Sequence, residues 1–285
     1  MHALDQSQLR RLSDSVASRF DELDFFCAEI RSRLLERLQL ITLQPECILE
    51  LGSGTGNGAQ ALRQTYPDAR VLQLDWSQAM LRHSTLQEPR ICADAHALPL
   101  SDASIDMVFS NLMLPGCADP EQIFHSARRV LKHPGLFLFT TLGPDSFKEL
   151  RKAWAAVDPA PHVHSFADMH NVGDALVQAG FREPVMDVEH LTITYADVSR
   201  LIEDLRAVGA INLLSGRRRG LTTPRLWQRM LAELDARRNA DGRLTVSLEV
   251  ITGQAWTGEP AAGVRMHEGE AHFPLDQLGP RGGRG

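Results

Sequence analysis

The sequence predicts an α/β fold, a mostly parallel sheet with helices on both of its faces. Three observations lead there. Between residues 47 and 142, short apolar runs alternate with stretches of helical periodicity. The first run, Cys47-Ile48-Leu49-Glu50-Leu51, ends in three glycines at alternate positions, Gly52, Gly54 and Gly56. The second run, Arg70 to Leu74, ends in Asp75, about twenty residues beyond that turn. An acid at that spacing binds the two hydroxyls of a ribose.

The bulk numbers fit one large globular domain or two small ones. The chain has 285 residues, 43% hydrophobic and 23% charged, and a net charge of −6 that argues against a general nucleic-acid binder. Cys27, Cys47, Cys92 and Cys117 lie far apart, without metal-ligand spacing, and read as buried thiols of a reducing compartment, so a cytoplasmic protein is expected. Met1 to Arg19 is polar and unlike a signal peptide, and no run of about 18 apolar residues offers a membrane span.

Residues 1–46 form an N-terminal helical segment. Ile30, Leu34, Leu35, Leu38 and Ile41 make one apolar stripe, and Pro45 ends the helix. Phe20, Phe25 and Phe26 either pack on the main domain or form a lid over a ligand, with Phe20 facing it. Residues 47–256 are the main domain. Strand 47–51 precedes helix 57–65, and strand 70–74 precedes helix 77–84. Strands follow near 90–92 and at 105–110, then helix 120–132 and strand 136–142. Lys132-His133-Pro134-Gly135 reads as a turn. Asp145 or Ser146 caps the next helix, and Asp168 caps helix 169–179. His162, His164 and His170 lack a carboxylate or cysteine at ligand spacing, so no metal is assigned. Strands at 184–195 and 244–256 flank a helical insertion at about 196–238 and pair as an antiparallel edge. Residues 257–285, rich in Gly, Pro and charge, read as a disordered tail.

Ligands of such sheets bind beyond the carboxyl ends of the strands. The strand stops fall at Gly52–Gly56, Asp75, Asp94 and Ser110-Asn111. Glycine admits left-handed backbone and leaves no Cβ between turn and ligand, and the next helix offers free N–H groups. The spacing is G-x-G-x-G, not the dinucleotide G-x-G-x-x-G, and Glu50 stands just before it. A pyrophosphate is poorly served by that carboxylate, whereas a ligand with an ammonium and no phosphate is well served. S-adenosylmethionine (SAM) is such a ligand, and no Gly-Lys followed by Ser or Thr offers a P-loop. Asp94-Ala95 either accepts from the adenine amino group or caps a turn. Trp76 either stacks on adenine or belongs to the core.

Several stretches together resemble one enzyme family. They are Ala97-Leu98-Pro99-Leu100, Phe109-Ser110-Asn111-Leu112, Leu142-Gly143-Pro144-Asp145-Ser146 through Glu149-Leu150-Arg151, His162 to His170, and Gly216-Arg217-Arg218-Arg219-Gly220-Leu221-Thr222. From about residue 14 to Trp256 the chain resembles the malonyl-acyl-carrier-protein O-methyltransferases of biotin synthesis. The resemblance implies a class I methyltransferase (Rossmann-like) fold with a seven-stranded sheet, one strand antiparallel, and SAM as methyl donor. Two places depart from the family pattern: Pro115-Gly116 stands where an aromatic pair is usual, and Phe20-Asp21 where a Tyr precedes the Asp.

The implied substrate is malonyl-loaded acyl carrier protein, or malonyl-CoA. A malonyl carboxylate, with a pKa near ~3–4, is already a nucleophile and needs no general base. It needs in-line placement and a cation to recognise it. Arg217, Arg218 and Arg219 are the first candidates, His164 the second, with Phe20 as the lid. Residues 206–229 hold six arginines and no acid, either a solvated basic face or a surface for an acidic partner. A second reading is a SAM-binding assembly factor or hydroxylase-like protein without methyl transfer. That reading resembles the methyltransferase-like assembly group of respiratory complex I.

Overall fold

A computed structural model describes residues 5–207, 217, 220, 222–258, 265–267 and 270–272. The N-terminal segment is not one helix but three: α1 (Gln6–Val16), α2 (Phe20–Leu23) and α3 (Phe25–Leu38). Then β1 (Cys47–Leu51), α4 (Asn57–Thr65), β2 (Arg70–Asp75), α5 (Gln78–His83), β3 (Arg90–Cys92) and β4 (Ile105–Asn111) follow. They lead into α6 (Pro120–Val130), β5 (Leu131–Leu142), α7 (Lys148–Ala155), α8 (Met169–Gln178) and β6 (Phe181–Tyr195). The chain continues through α9 (Val198–Ala207), α10 (Pro224–Asp235) and β7 (Leu244–Thr257). Arg265–His267 and Glu270–His272 then pair as β8 and β9, a short hairpin where the sequence reads as a structureless tail.

Strands β1 to β7 form one seven-stranded sheet in the order β3-β2-β1-β4-β5-β7-β6. β7 runs antiparallel to both β5 and β6, so it is the one reversed strand, as expected. The strand order changes direction between β1 and β4, which opens a crevice beyond their carboxyl ends.

Alternation along the central strands builds both faces at once. Leu49, Leu51, Val108, Phe137 and Phe139 point to one side, against Ile123, Phe124 and Ala127 of α6 and Val172 and Leu176 of α8. Ile48, Met107, Phe109, Leu136 and Leu138 point to the other, against Ala59 and Leu62 of α4 and Leu34 and Leu38 of α3. The stripe on α3 is therefore core, and the N-terminal segment is built into the domain. A third cluster joins Phe26 and Ile30 of α3 to α7, α9, α10 and β7, so the helical insertion packs beside the antiparallel end.

Several local expectations change. Lys132–Gly135 lies within β5 as an irregularity, where the register with β4 jumps from Ile105–Leu131 to Met107–Leu136. Phe147, in left-handed backbone, precedes α7, so neither Asp145 nor Ser146 is the cap. The Ser146 hydroxyl is already committed to Glu249, donating to its carbonyl at 3.1 Å and accepting from its N–H at 3.0 Å. Asp168 does cap α8. Among the cysteines, Cys27 is buried, Cys47 and Cys117 are half-buried, and Cys92 is exposed, contrary to the reading of four buried thiols. Of the three phenylalanines, Phe26 is core, Phe25 is 47% exposed, and Phe20 faces the crevice.

Candidate active site

The turn after β1 has the backbone the glycines foretell: φ is +77° at Gly52, +52° at Gly54 and +87° at Gly56. These angles exclude most other residues. A Cβ on Gly52 would strike Met113, and one on Gly56 would strike Gln73 and Ser84. The turn is tied to β2, since the Gly52 and Ser53 N–H groups donate to the Leu74 carbonyl at 2.8 and 3.0 Å. Asp75 joins the pieces: Oδ2 accepts from Gly54 N at 2.9 Å and Oδ1 from Ser77 N at 2.8 Å. Burial lifts the Asp75 carboxyl above its ordinary range, and these amides draw it back down.

Glu50 occupies a place the sequence does not reveal. Its carboxylate sits at the first turn of α4, where Oε2 accepts from Ala59 N at 2.8 Å. Gly58 leaves it the room, for a Cβ there would strike the carboxylate. Burial pushes the Glu50 pKa up to about 8 against the pull of the Ala59 amide and Arg31. It still lines the cavity, as a carboxyl that is mostly protonated at neutral pH.

These groups surround a cavity of about 200 Å³ at the crevice. Gly52, Gly54, Asp75, Trp76, Asp94, Ala95 and Asn111 all line it. Trp76 is half-buried on the wall, not core. Asp94 caps the short turn 95–97, Oδ1 accepting from His96 N at 2.9 Å, and the residue also borders the cavity. Ser110 is a correction. It is fully buried, donates to the Leu51 carbonyl at 2.9 Å, and does not line the cavity, because its side chain on β4 points across to β1. The Asn111 amide is occupied, donating to the Cys27 carbonyl at 3.0 Å and accepting from Thr140 Oγ1 at 2.9 Å. It fastens α3 to the sheet beside the cavity.

The N-terminal segment supplies a wall of which the sequence reading singled out only Phe20. Gln6, Leu9, Ser13, Phe20, Asp24 and Arg31 all border the cavity. The segment is latched along its length. Asp21 Oδ1 accepts from Thr55 Oγ1 at 2.6 Å and from Asn57 Nδ2 at 2.9 Å, and Asp14 accepts from the Ser77 hydroxyl at 2.6 Å. Gln6 donates to the Gly116 carbonyl at 3.2 Å. Gly116 admits α1, since a Cβ there would lie 2.9 Å from Leu9 Cδ2. The departure at Pro115-Gly116 thus falls where α1 packs on the cavity rim. Phe20, read from the sequence as a lid, was the signal for this wall; Asp24 and Arg31, seven residues apart across the start of α3, carry no such signal.

Leu112, Leu142, His164 and Phe166 form an apolar part of the lining. Phe166 meets the His164 ring edge-on, with centroids 5.0 Å apart. Burial, helped by nearby Arg151, lowers the His164 pKa, so the ring is held neutral. Its Nδ1 is buried without a partner. Arg217 does not line the cavity; it lies against α1, 3.3 Å from Asp5 Oδ2 and 2.8 Å from Gln8 Oε1. Arg218 and Arg219 lie outside the described residues. His162 stacks on Trp154 at 3.7 Å and pairs with Asp158. Among the described residues no group of three His, Cys, Asp or Glu could hold a metal ion, and no helix is long and apolar enough to cross a membrane.

A sheet reversed at one strand, with a glycine turn, a ribose-spaced acid and a closed crevice at its switch point, defines a class I SAM-dependent methyltransferase. The family description "Methyltransferase domain" matches residues 49–139. Solved structures agree on the fold: the YcgJ protein from Bacillus subtilis superposes with a TM-score of 0.59 at 15% identity, covering 80% of this chain and 99% of that one. Phosphoethanolamine N-methyltransferase 2 from Haemonchus contortus, solved with phosphomonomethylethanolamine and S-adenosylhomocysteine, gives 0.52 at 16% identity, covering 88% of this chain and 60% of that one.

Sequence relatives narrow the class. The malonyl-acyl-carrier-protein O-methyltransferase of Gallionella capsiferriformans is 43% identical over 90% of this chain and 92% of its own. That of Laribacter hongkongensis is 44% identical over 90% and 91%. The chain belongs to the malonyl-acyl-carrier-protein O-methyltransferase family, and SAM is its methyl donor. The reading as a SAM-binding protein without methyl transfer is not favoured.

Proposed function

We propose that the chain methylates the free carboxylate of malonyl-loaded acyl carrier protein in biotin precursor synthesis, in the cytoplasm. The observation that carries this reading is His164, a neutral imidazole with a buried, unpartnered Nδ1 among Leu112, Leu142 and Phe166. A lone polar atom on an apolar lining suits a thioester-borne carboxylate, which it can anchor by one hydrogen bond without quenching its charge. No further base is required. Cys27 and Cys117 are pushed far above the ordinary thiol range by burial and are not nucleophiles.

SAM fits the cavity, which presents buried polar atoms without partners at Ser53 Oγ and His96 Nε2 and a glycine turn with no Cβ in the way. Bound there, it supplies an electrophilic sulfonium methyl. Asp75 would hold the ribose hydroxyls, Asp94 and Ala95 the adenine edge, and Trp76 an adenine face. Gly52 and Gly54 would admit the ligand to the backbone, while Gly56, which does not line the cavity, shapes the turn against Gln73 and Ser84; Glu50 would face the ligand's charged end, and Asn111 would border it. Phe20 covers Gly54, its ring 3.6 Å from where a Cβ would stand, and excludes water from that side.

Arg217, which lies against α1, and exposed Arg225 and Arg229 on α10 would meet the acidic carrier, with Arg218 and Arg219 between them in sequence. Turnover of SAM to S-adenosylhomocysteine is measured with malonyl-acyl carrier protein and with malonyl-CoA. His164→Ala should depress both about tenfold or more, as loss of a buried anchor does. Arg217→Ala, Arg218→Ala and Arg219→Ala should include at least one variant that slows only the carrier-bound substrate, more so at low salt. No turnover with any malonyl thioester would sink the proposal.

A further inference from the structure

The latches and the apolar lining leave one buried ion pair unused. Asp24 stands at the joint between α2 and α3, and Arg31 lies two turns along α3 on the same face. Arg31 Nη2 donates to Asp24 Oδ2 at 2.8 Å, and Asn57 Nδ2 reaches the same oxygen at 3.2 Å. The two side chains are only 16% and 6% exposed. Both line the cavity, where the Arg31 stem and the Glu50 carboxylate flank Gly58.

The pair is incompletely satisfied. Asp24 Oδ1 is buried and has no hydrogen-bond partner. Arg31 donates to Asp24 alone among the described residues, which leaves most of its N–H groups free. An ion pair taken out of water is costly unless its remaining donors and acceptors are met. Asp21, three residues earlier, accepts at Oδ1 from both Thr55 and Asn57, and its carboxylate is not among the buried unpartnered ones.

A guanidinium with donors to spare, beside a carboxylate with one free oxygen, is the complement of a zwitterion. A carboxylate would dock on Arg31 and an ammonium on Asp24, so that four charges alternate in sign. We infer that Asp24 and Arg31 read the α-amino-acid end of SAM, and that this end clamps the N-terminal segment shut. The inference rests on SAM lying in the cavity as proposed above. It makes the segment a sensor of the amino-acid moiety rather than of the nucleoside, so a nucleoside lacking that moiety would not engage it.

The test is calorimetric and needs no turnover. S-adenosylhomocysteine carries the amino acid; 5′-methylthioadenosine keeps the nucleoside and lacks it. Arg31→Gln and Asp24→Asn should each weaken S-adenosylhomocysteine about tenfold or more while changing 5′-methylthioadenosine less than about twofold. Binding of 5′-methylthioadenosine also reports that each variant is folded. If neither variant affects S-adenosylhomocysteine, or if both ligands weaken alike, the inference is overturned. Asp75→Ala separates it from the reading beneath it. That change should weaken both ligands alike; if it affects neither, the nucleoside placement fails, and the Arg31 result is still read on its own.

Discussion

Glu50→Gln exposes the energetic cost of the carboxyl behind the glycine turn. Inside the fold that carboxyl titrates at about 8 instead of 4.5, because burial outweighs the Ala59 amide and the Arg31 charge. Below about pH 4.5 folded and unfolded chains both hold the proton, and the group adds no pH dependence. Between 4.5 and about 8 the unfolded chain releases it and the folded chain keeps it, so stability falls as pH rises. The whole gap corresponds to at most about 5 kcal/mol, at roughly 1.4 kcal/mol per unit. Gln is nearly isosteric, can still accept from Ala59 N, and does not titrate. In urea denaturation from pH 5.5 to 7.5 without ligand, the variant should therefore gain about 2–3 kcal/mol on the parent protein. Taking the difference cancels every other titrating group. Saturating S-adenosylhomocysteine should flatten the parent's slope, because a bound ammonium favours ionised Glu50. Parallel pH curves for parent and variant would refute the reasoning.

Asp75→Ala should lower S-adenosylmethionine affinity about tenfold or more by calorimetry, through loss of a charge-assisted acceptor. It also strands the Gly54 and Ser77 amides, so urea denaturation should show about 1–3 kcal/mol of lost stability with the fold retained. Truncation after Gly258 keeps all seven strands of the main sheet and the bond from Arg128 to the Gly258 carbonyl, so melting temperature and turnover should be unchanged. A clear drop in either would mean that the hairpin at 265–272 contributes to the domain.

The parallel half of the fold was legible because its determinants are local. Apolar runs of strand length, helix periods between them and the G-x-G-x-G turn each act within a few residues, and the spacing from Gly56 to Asp75 spans one helix and one strand. Gly52, Gly54 and Gly56 could be read directly, since positive φ is a property of the residue itself. The reversed strand was inferable from two late β-rich stretches. The motifs from Ala97 to Thr222 carried the family, and with it SAM and the class of reaction.

What the tertiary structure alone decided is where side chains of known type point and what already satisfies them. Ser110 and Asn111 end the same strand, yet alternation sends Ser110 into the Leu51 carbonyl and only Asn111 to the cavity edge. Glu50 is a charged residue by sequence, and burial beside α4 makes it a mostly neutral one. Arg217 carries the right charge for a carboxylate but reaches Asp5 and Gln8 instead. Asp24 and Arg31 enter the site because α3 packs across the sheet through Leu34 and Leu38, which carries its polar face to the glycine turn. Local sequence governs backbone conformation, since that depends on near neighbours. The partner of a buried charge depends on which distant segment folds over it, and that is settled by packing.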